Sequence, residues 1–143
     1  MIGQTEGVLY VEFDINEAVN TEGYIVRIDD TSFNDTVYVS RTALKALIMN
    51  LRSGGSAIAQ VSIASVSGRN KAAIAYKSGD FAFYLNGASV GTSTATYTNG
   101  ITYDDFRIGG FNASTANMSG GIYQTILFPT RLTNDELSSL TTL

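Results

Sequence analysis

Cysteine, histidine and tryptophan are all absent from these 143 residues, and proline occurs once. Without cysteine there is neither a disulfide framework nor a thiolate metal site, and a chain able to bury roughly 70% of its unfolded surface needs no such staple. Without histidine there is no imidazole general base, no common zinc ligand and no side chain that ordinarily titrates between about pH 5 and 8. A Ser-His-Asp triad is therefore excluded. Lacking tryptophan, the chain has no indole with which to floor a deep sugar cleft. Charge is also sparse: nine basic and thirteen acidic side chains give a net of -4, and the basic ones scatter from Arg27 to Arg131. Nucleic acid requires a basic stripe, so it is not an expected partner. No apolar run approaches the ~20 residues that span a bilayer, so membrane insertion is not expected either. The N-terminal MIGQTEG has no charged n-region and no apolar h-region of a signal peptide, which fits a mature soluble chain or a domain excised from a longer one.

What the chain has in abundance is short alternating patterns separated by Gly, Asn, Ser and Thr. The densest stretch, NKAAIAYKSGDFAFYLNGASVGTS from Asn70 to Ser93, holds three strand patterns and two glycine turns. Phe81, Phe83 and Leu85 alternate with Ala82, Tyr84 and Asn86, the period-2 signature of a strand with one buried face. Asn86-Gly87 suits a two-residue type I′ turn, which needs positive φ at both central positions. Nearer the N-terminus, Leu9, Val11, Phe13 and Ile15 alternate with Val8, Tyr10, Glu12 and Asp14, which predicts one apolar and one wet face. Tyr24, Val26 and Ile28 repeat the pattern, as do Val37 with Val39, Val61 with Ile63, Phe106 with Ile108, and Ile122 with Ile126 and Phe128. Eight or more short strands at this spacing predict an all-β, two-sheet antiparallel sandwich, a single domain over residues 1–143.

Two segments carry helical signals. Leu44, Leu47, Ile48 and Leu51 stand at i, i+3, i+4 and i+7, and Thr42 is a suitable N-cap. An extended reading instead places Leu47, Met49 and Leu51 on one side, and a sandwich needs consecutive strands here, so strand is the expectation. At the C-terminus Pro129 ends a strand, and Thr133 with Glu136 forms a capping box flanked by a Leu132/Leu137 staple. A short helix from Asn134 to about Thr141 follows, with Leu137 and Leu140 sealing apolar surface at the sandwich edge.

KAAIAYKSGDFAFYLNGASVGT resembles the central meander of concanavalin A-like, laminin-G-like jelly-roll domains, in which a strand leads into a Leu-Tyr-Val-Asn-Gly or Leu-Tyr-Val-Asp-Gly hairpin. GGIYQTILFPTRLTNDELSSL is similar to the final strand and short helix of the same domains. IGQTEGVLYVEFDIN and FPTRLTNDELSSLT resemble in particular the versions found in bacteriophage tail, fibre and other virion proteins. The resemblance implies a jelly-roll sandwich on an extracellular virion particle, with other virion subunits as neighbours and a homo-oligomer, such as a trimer, as its working form. It implies a non-catalytic accessory or adhesion domain whose partner is a host-surface glycan. The rival expectation is a structural oligomerisation or decoration module with no sugar ligand.

Candidate site residues follow from side-chain chemistry. Sugar binding needs an exposed aromatic face together with amides or hydroxyls. Tyr97, Asn99, Asn112 and Asn117 in two polar loops are the candidate glycan rim, and Tyr84, out of phase with Phe83 and Leu85, is an alternative surface for stacking. Asp29, Asp30, Asn34 and Asp35 share one loop and offer hard oxygen ligands, so calcium is the one metal to consider. No other cofactor is expected. Glu12, Asp14 and Glu17 have the E-x-D-x-x-E spacing of retaining glucanases, whose two carboxylates flank the scissile bond about 5 Å apart. The position near the N-terminus, the short chain and the missing tryptophan argue against a small glycosidase, and the expectation is a non-enzyme.

Overall fold

The computed structural model describes residues 2–16, 18, 22–98, 101–110 and 117–143. Among these residues the strands are β1 (Glu6–Ile15), β2 (Gly23–Asp29), β3 (Thr36–Arg41), β4 (Leu47–Ser53), β5 (Ser56–Ile63), β6 (Gly68–Lys77), β7 (Phe81–Leu85), β8 (Ala88–Ser93), β9 (Asp105–Ile108) and β10 (Ile122–Phe128), followed by helix α1 (Asn134–Thr141). They form two five-stranded antiparallel sheets, ordered β10-β1-β6-β7-β8 and β5-β4-β3-β2-β9. The main core lies between the sheets and is built from every second side chain: Leu9, Val11 and Phe13 from β1, Val37 and Val39 from β3, Phe81 and Phe83 from β7.

The ambiguous segment is extended. Val37 pairs with Leu51 and Val39 with Met49, which aims Leu47, Met49 and Leu51 into the core. The helical spacing misleads because Leu44 lies in the β3–β4 turn and is 90% exposed. Thr42 caps that turn rather than a helix: its carbonyl accepts from Lys45 N at 3.0 Å and its hydroxyl from Ala46 N at 3.2 Å.

The first sheet is covered on both sides, which corrects the expectation of a wet outer face on β1 and β7. Val8, Tyr10, Ala73, Ala75, Ala82 and Tyr84 form a second buried cluster closed by Leu137 of α1. Three alanines on adjacent strands leave a trough wide enough for the helix, so α1 lies on the sheet face rather than at the sandwich edge. The capping box of Thr133 and Glu136 is present. The Asn86-Gly87 turn, with φ of 51° and 84°, receives the helix end: Gly87 N donates to Thr141 Oγ1 at 3.1 Å and Ser138 Oγ donates to Gly87 O at 2.6 Å. A Cβ on Gly87 would stand 3.1 Å from Thr142 Oγ1, so glycine serves both the turn and the close approach.

A β-bulge in β2 makes the second correction. Tyr24 pairs with Ser40 but Val26 pairs with Val39, so Ile25 is an extra residue and both Ile25 and Val26 enter the core. Tyr24 is thereby put out of phase with Val26 and Ile28, on the outer face of the second sheet.

Candidate functional site

Among the described residues no strand or helix packs over the outer face of β5-β4-β3-β2-β9; α1 packs on the other sheet, against β6, β7 and β8, with Leu137 also meeting Val8 and Tyr10 of β1. Strand register arranges this face in rows, because directly paired residues in antiparallel strands point the same way. Arg27, Tyr38, Asn50 and Gln60 form one row across β2, β3, β4 and β5. Tyr24, Ser40, Ile48 and Ser62 form the next. Between these rows and the β3–β4 turn lies a cleft of about 290 Å³ lined by Tyr24, Tyr38, Ser40, Ile48 and Gln60, with Arg41 and Glu22 at one end.

The loop before β3 folds onto this face. Thr31 and Phe33 both adopt positive φ, 64° and 65°, in a turn held by Asp30, which accepts from Ser32 Oγ at 2.6 Å and from Asn34 N at 3.1 Å. The Phe33 ring stacks on Tyr38 at 5.7 Å and meets Tyr24 edge-on at 5.9 Å. The guanidiniums of Arg27 and Arg52 lie 5.4 and 5.0 Å from its centroid, within cation–π range.

Arg27 also forms an ion pair with Asp29, Nε to Oδ2 at 2.8 Å, the two side chains 4% and 1% exposed. Burial pulls the Arg27 pKa down while Asp29 opposes it, and burial pushes Asp29 up against the Thr31 N–H and the Arg27 charge. Tyr24 is pushed up to about 12 by burial, and burial also raises Tyr38. Both phenols are therefore neutral donors at physiological pH. The face combines aromatic rings, neutral amides and hydroxyls, and fixed cations.

The residues singled out from sequence mostly lie elsewhere. Tyr84 does point away from the main core, but it is 7% exposed in the cluster closed by α1, so it offers no open stacking surface. Tyr97 packs its ring against Phe81 at 5.5 Å, and its buried hydroxyl is raised by desolvation. Asn99 and Asn112 lie outside the described residues. Asn117 is exposed and bridges Tyr24 in parallel register, which brings it beside the cleft.

The four loop oxygens do not converge. Asp29 turns to Arg27, Asp30 closes its own turn, Asn34 Nδ2 donates to Ser32 Oγ, and Asp35 Oδ1 accepts from Gly54 N at 2.9 Å. Among the described residues no group of three or more carboxylates is arranged to hold a metal ion.

The paired carboxylates of β1 are engaged as well. Glu12 binds Arg69 at 2.8 Å, and Asp14 accepts from the Tyr123 hydroxyl and from Gly121 N, both at 2.6 Å. These bonds hold Asp14 below its ordinary pKa, the opposite of what a general acid needs. Glu17 lies outside the described residues.

Sequence reasoning missed Tyr24, Phe33, Tyr38, Asn50, Arg52 and Gln60. The signal was partly there: the out-of-phase positions of β3 and β4 read Tyr38, Ser40, Asn50 and Arg52, polar and aromatic together. The bulge that adds Tyr24 and the loop that adds Phe33 left no trace in the alternation.

No family profile and no curated protein sequence matches the chain. Solved structures do. The CBM40 carbohydrate-binding module of the Ruminococcus gnavus IT-sialidase aligns with a TM-score of 0.75 at 14% identity, over 99% of this chain and 85% of that one. The same module is known bound to α2,3 and α2,6 sialyllactose. Domains LG4-5 of the mouse laminin α1 chain align with a TM-score of 0.67 at 13% identity, over 92% of this chain and 38% of that one. Botulinum neurotoxin type C, described as interacting with two ganglioside molecules, aligns with a TM-score of 0.71 at 14% identity, over 95% of this chain and 35% of that one. Identities this low carry the fold alone, and in fold the chain is a two-sheet, antiparallel, concanavalin A-like jelly-roll sandwich with a short C-terminal helix.

Proposed function

We propose that this chain is a non-catalytic glycan-binding domain whose ligand sits on the outer face of β5-β4-β3-β2-β9. The cleft between Tyr24 and Tyr38 carries the reading: it sets two tyrosines beside the hydroxyl of Ser40 and the amide of Gln60, on a sheet face over which no strand or helix packs among the described residues. A pyranose stacks its C–H face on such rings and hydrogen-bonds its hydroxyls to such groups. Support comes from the sialyllactose-bound and ganglioside-interacting neighbours, which share this sandwich. At about 290 Å³ the cleft is near the low end of small-molecule sites, which suits one sugar unit held weakly. A dissociation constant of ~1 mM is about -4 kcal/mol, and display in several copies raises avidity by roughly 10² to 10⁴.

The sequence resemblance supports a setting on a phage-type virion, with host-surface glycans as the target. Glycan-array screening of a multivalent form, followed by Tyr38→Ala, tests the assignment. Array binding that Tyr38→Ala abolishes without changing the melting temperature by more than a few degrees is expected. Binding unaffected by Tyr38→Ala refutes the site.

A second reading, an oligomerisation module with no sugar ligand, is favoured by a different observation. Three of the four edge strands, β5, β8 and β10, contain no charged residue. Edges left without lysine or other charges are open to pairing with another chain. A stable oligomer that binds nothing on any array would decide for this reading.

A further inference from the structure

Beside the Phe33 ring the open face holds two buried polar atoms that the fold leaves without a hydrogen-bond partner. Asn50 is 2% exposed; its Nδ2 donates to Gln60 Oε1, but its Oδ1 accepts nothing. Two residues along β4, Arg52 Nη2 donates to Gly55 O, whereas the buried Nε–H donates to nothing. An unpaired buried acceptor or donor costs ~1–3 kcal/mol, and nearly all such groups are paired. Here an unpaired acceptor and an unpaired donor lie at i and i+2 on one strand, hence on one face.

A hydroxyl has the chemistry to complement both, an O–H to donate to Asn50 Oδ1 and a lone pair to accept from Arg52 Nε–H. The Phe33 ring lies beside both: it rests on Tyr38, the cross-strand neighbour of Asn50, and within cation–π range of the Arg52 guanidinium. The residue holds a left-handed backbone conformation, φ 65°, that bulky side chains avoid.

We propose that Phe33 occupies a second saccharide subsite, which it vacates when an oligosaccharide binds. The first sugar unit lies in the Tyr24–Tyr38 cleft; a hydroxyl of the next unit bridges Asn50 Oδ1 and Arg52 Nε. The two positions are continuous, because Tyr38 lines the cleft and carries Phe33, and Gln60 lines the cleft and holds Asn50. This inference rests on the glycan-binding reading and narrows it: the ligand is an oligosaccharide of at least two units, recognised through hydroxyls on the unit beyond the cleft.

Titration calorimetry of galactose, N-acetylneuraminic acid, lactose and α2,3-sialyllactose against the wild type, Asn50→Ala and Phe33→Gly provides the test. In the wild type the best oligosaccharide is expected to bind about tenfold or more tighter than the best single sugar. Asn50→Ala should abolish that gain, so that the best oligosaccharide and the best single sugar bind it about equally. Phe33→Gly accepts the positive φ without strain and removes the ring. It should tighten oligosaccharides by up to about tenfold, as the fraction of competent protein rises. If Asn50→Ala does not fold, Phe33→Gly decides the matter alone. Oligosaccharide binding that Phe33→Gly weakens or leaves unaltered overturns the inference. Tyr38-dependent binding of a single sugar with no gain on lengthening overturns it too, while the glycan-binding reading stands. Absence of binding by every sugar to every variant overturns both.

Discussion

Replacing Leu137 by alanine tests whether α1 is a structural cover. The side chain is 0% exposed and closes the trough formed by Ala73, Ala75 and Ala82 between Val8, Tyr10 and Tyr84. Truncating a fully buried leucine destabilises by about 2–5 kcal/mol, and a rigid alanine-lined floor collapses little, so ~3 kcal/mol is expected. With an unfolding entropy of about 2.1 cal/mol/K per residue, a chain of this length loses ~0.3 kcal/mol/K, which converts the change to a fall of about 10 °C in the melting temperature. Urea unfolding and calorimetry both read it. Leu143→Ala, an exposed site beyond the helix, should stay within about 0.5 kcal/mol of wild type and serves as the control. Sugar binding measured well below the melting transition should be unchanged, because α1 and the Tyr24–Tyr38 cleft lie on different sheets. A Leu137→Ala variant as stable as the wild type would refute the docking. Restored or newly gained sugar affinity at an uncovered Tyr84 would refute the placing of the site.

Asp29→Asn should destabilise by about 3–5 kcal/mol in urea unfolding, because it removes the carboxylate charge that pairs with the buried Arg27 guanidinium. The double variant Arg27→Met, Asp29→Leu should recover most of that loss, and a single variant within 1 kcal/mol of wild type would show that the pair is not buried as described. Acid should loosen the junction of β1 with β10. Tyr123 and Gly121 hold Asp14 below its ordinary value of 3.8, so the carboxylate's contribution is present above that pH and is lost as pH falls through the lowered value. Stability followed from pH 6 to pH 2 should therefore drop less steeply below about pH 4 in Asp14→Asn, and equal slopes for the two proteins would remove the argument.

The sandwich was legible in the sequence because a strand that buries one face must alternate, and alternation is local. The β7–β8 turn and the C-terminal helix were equally legible, since positive φ at Asn86-Gly87 and the Thr133/Glu136 box are settled by neighbouring residues. Even the misleading spacing around Leu44 yields once consecutive strands are required, because only an extended chain places Leu47, Met49 and Leu51 together. What failed was the inference that treated the second face of β1 and β7 as solvent. Tyr84 has the alternation of an exposed residue, yet a helix more than fifty positions along the chain covers it.

The residue pattern alone thus determined the kind of elements, most of the inner face and the absence of imidazole and thiol chemistry. Tertiary structure alone decided which outer face, among the described residues, no strand or helix covers. That choice depends on where α1 lands, on one extra residue in β2 that turns Tyr24 outward, and on a loop that lays Phe33 across Tyr38. Each is set by contacts between segments distant in the chain, and burial of that kind leaves no period for a sequence to display.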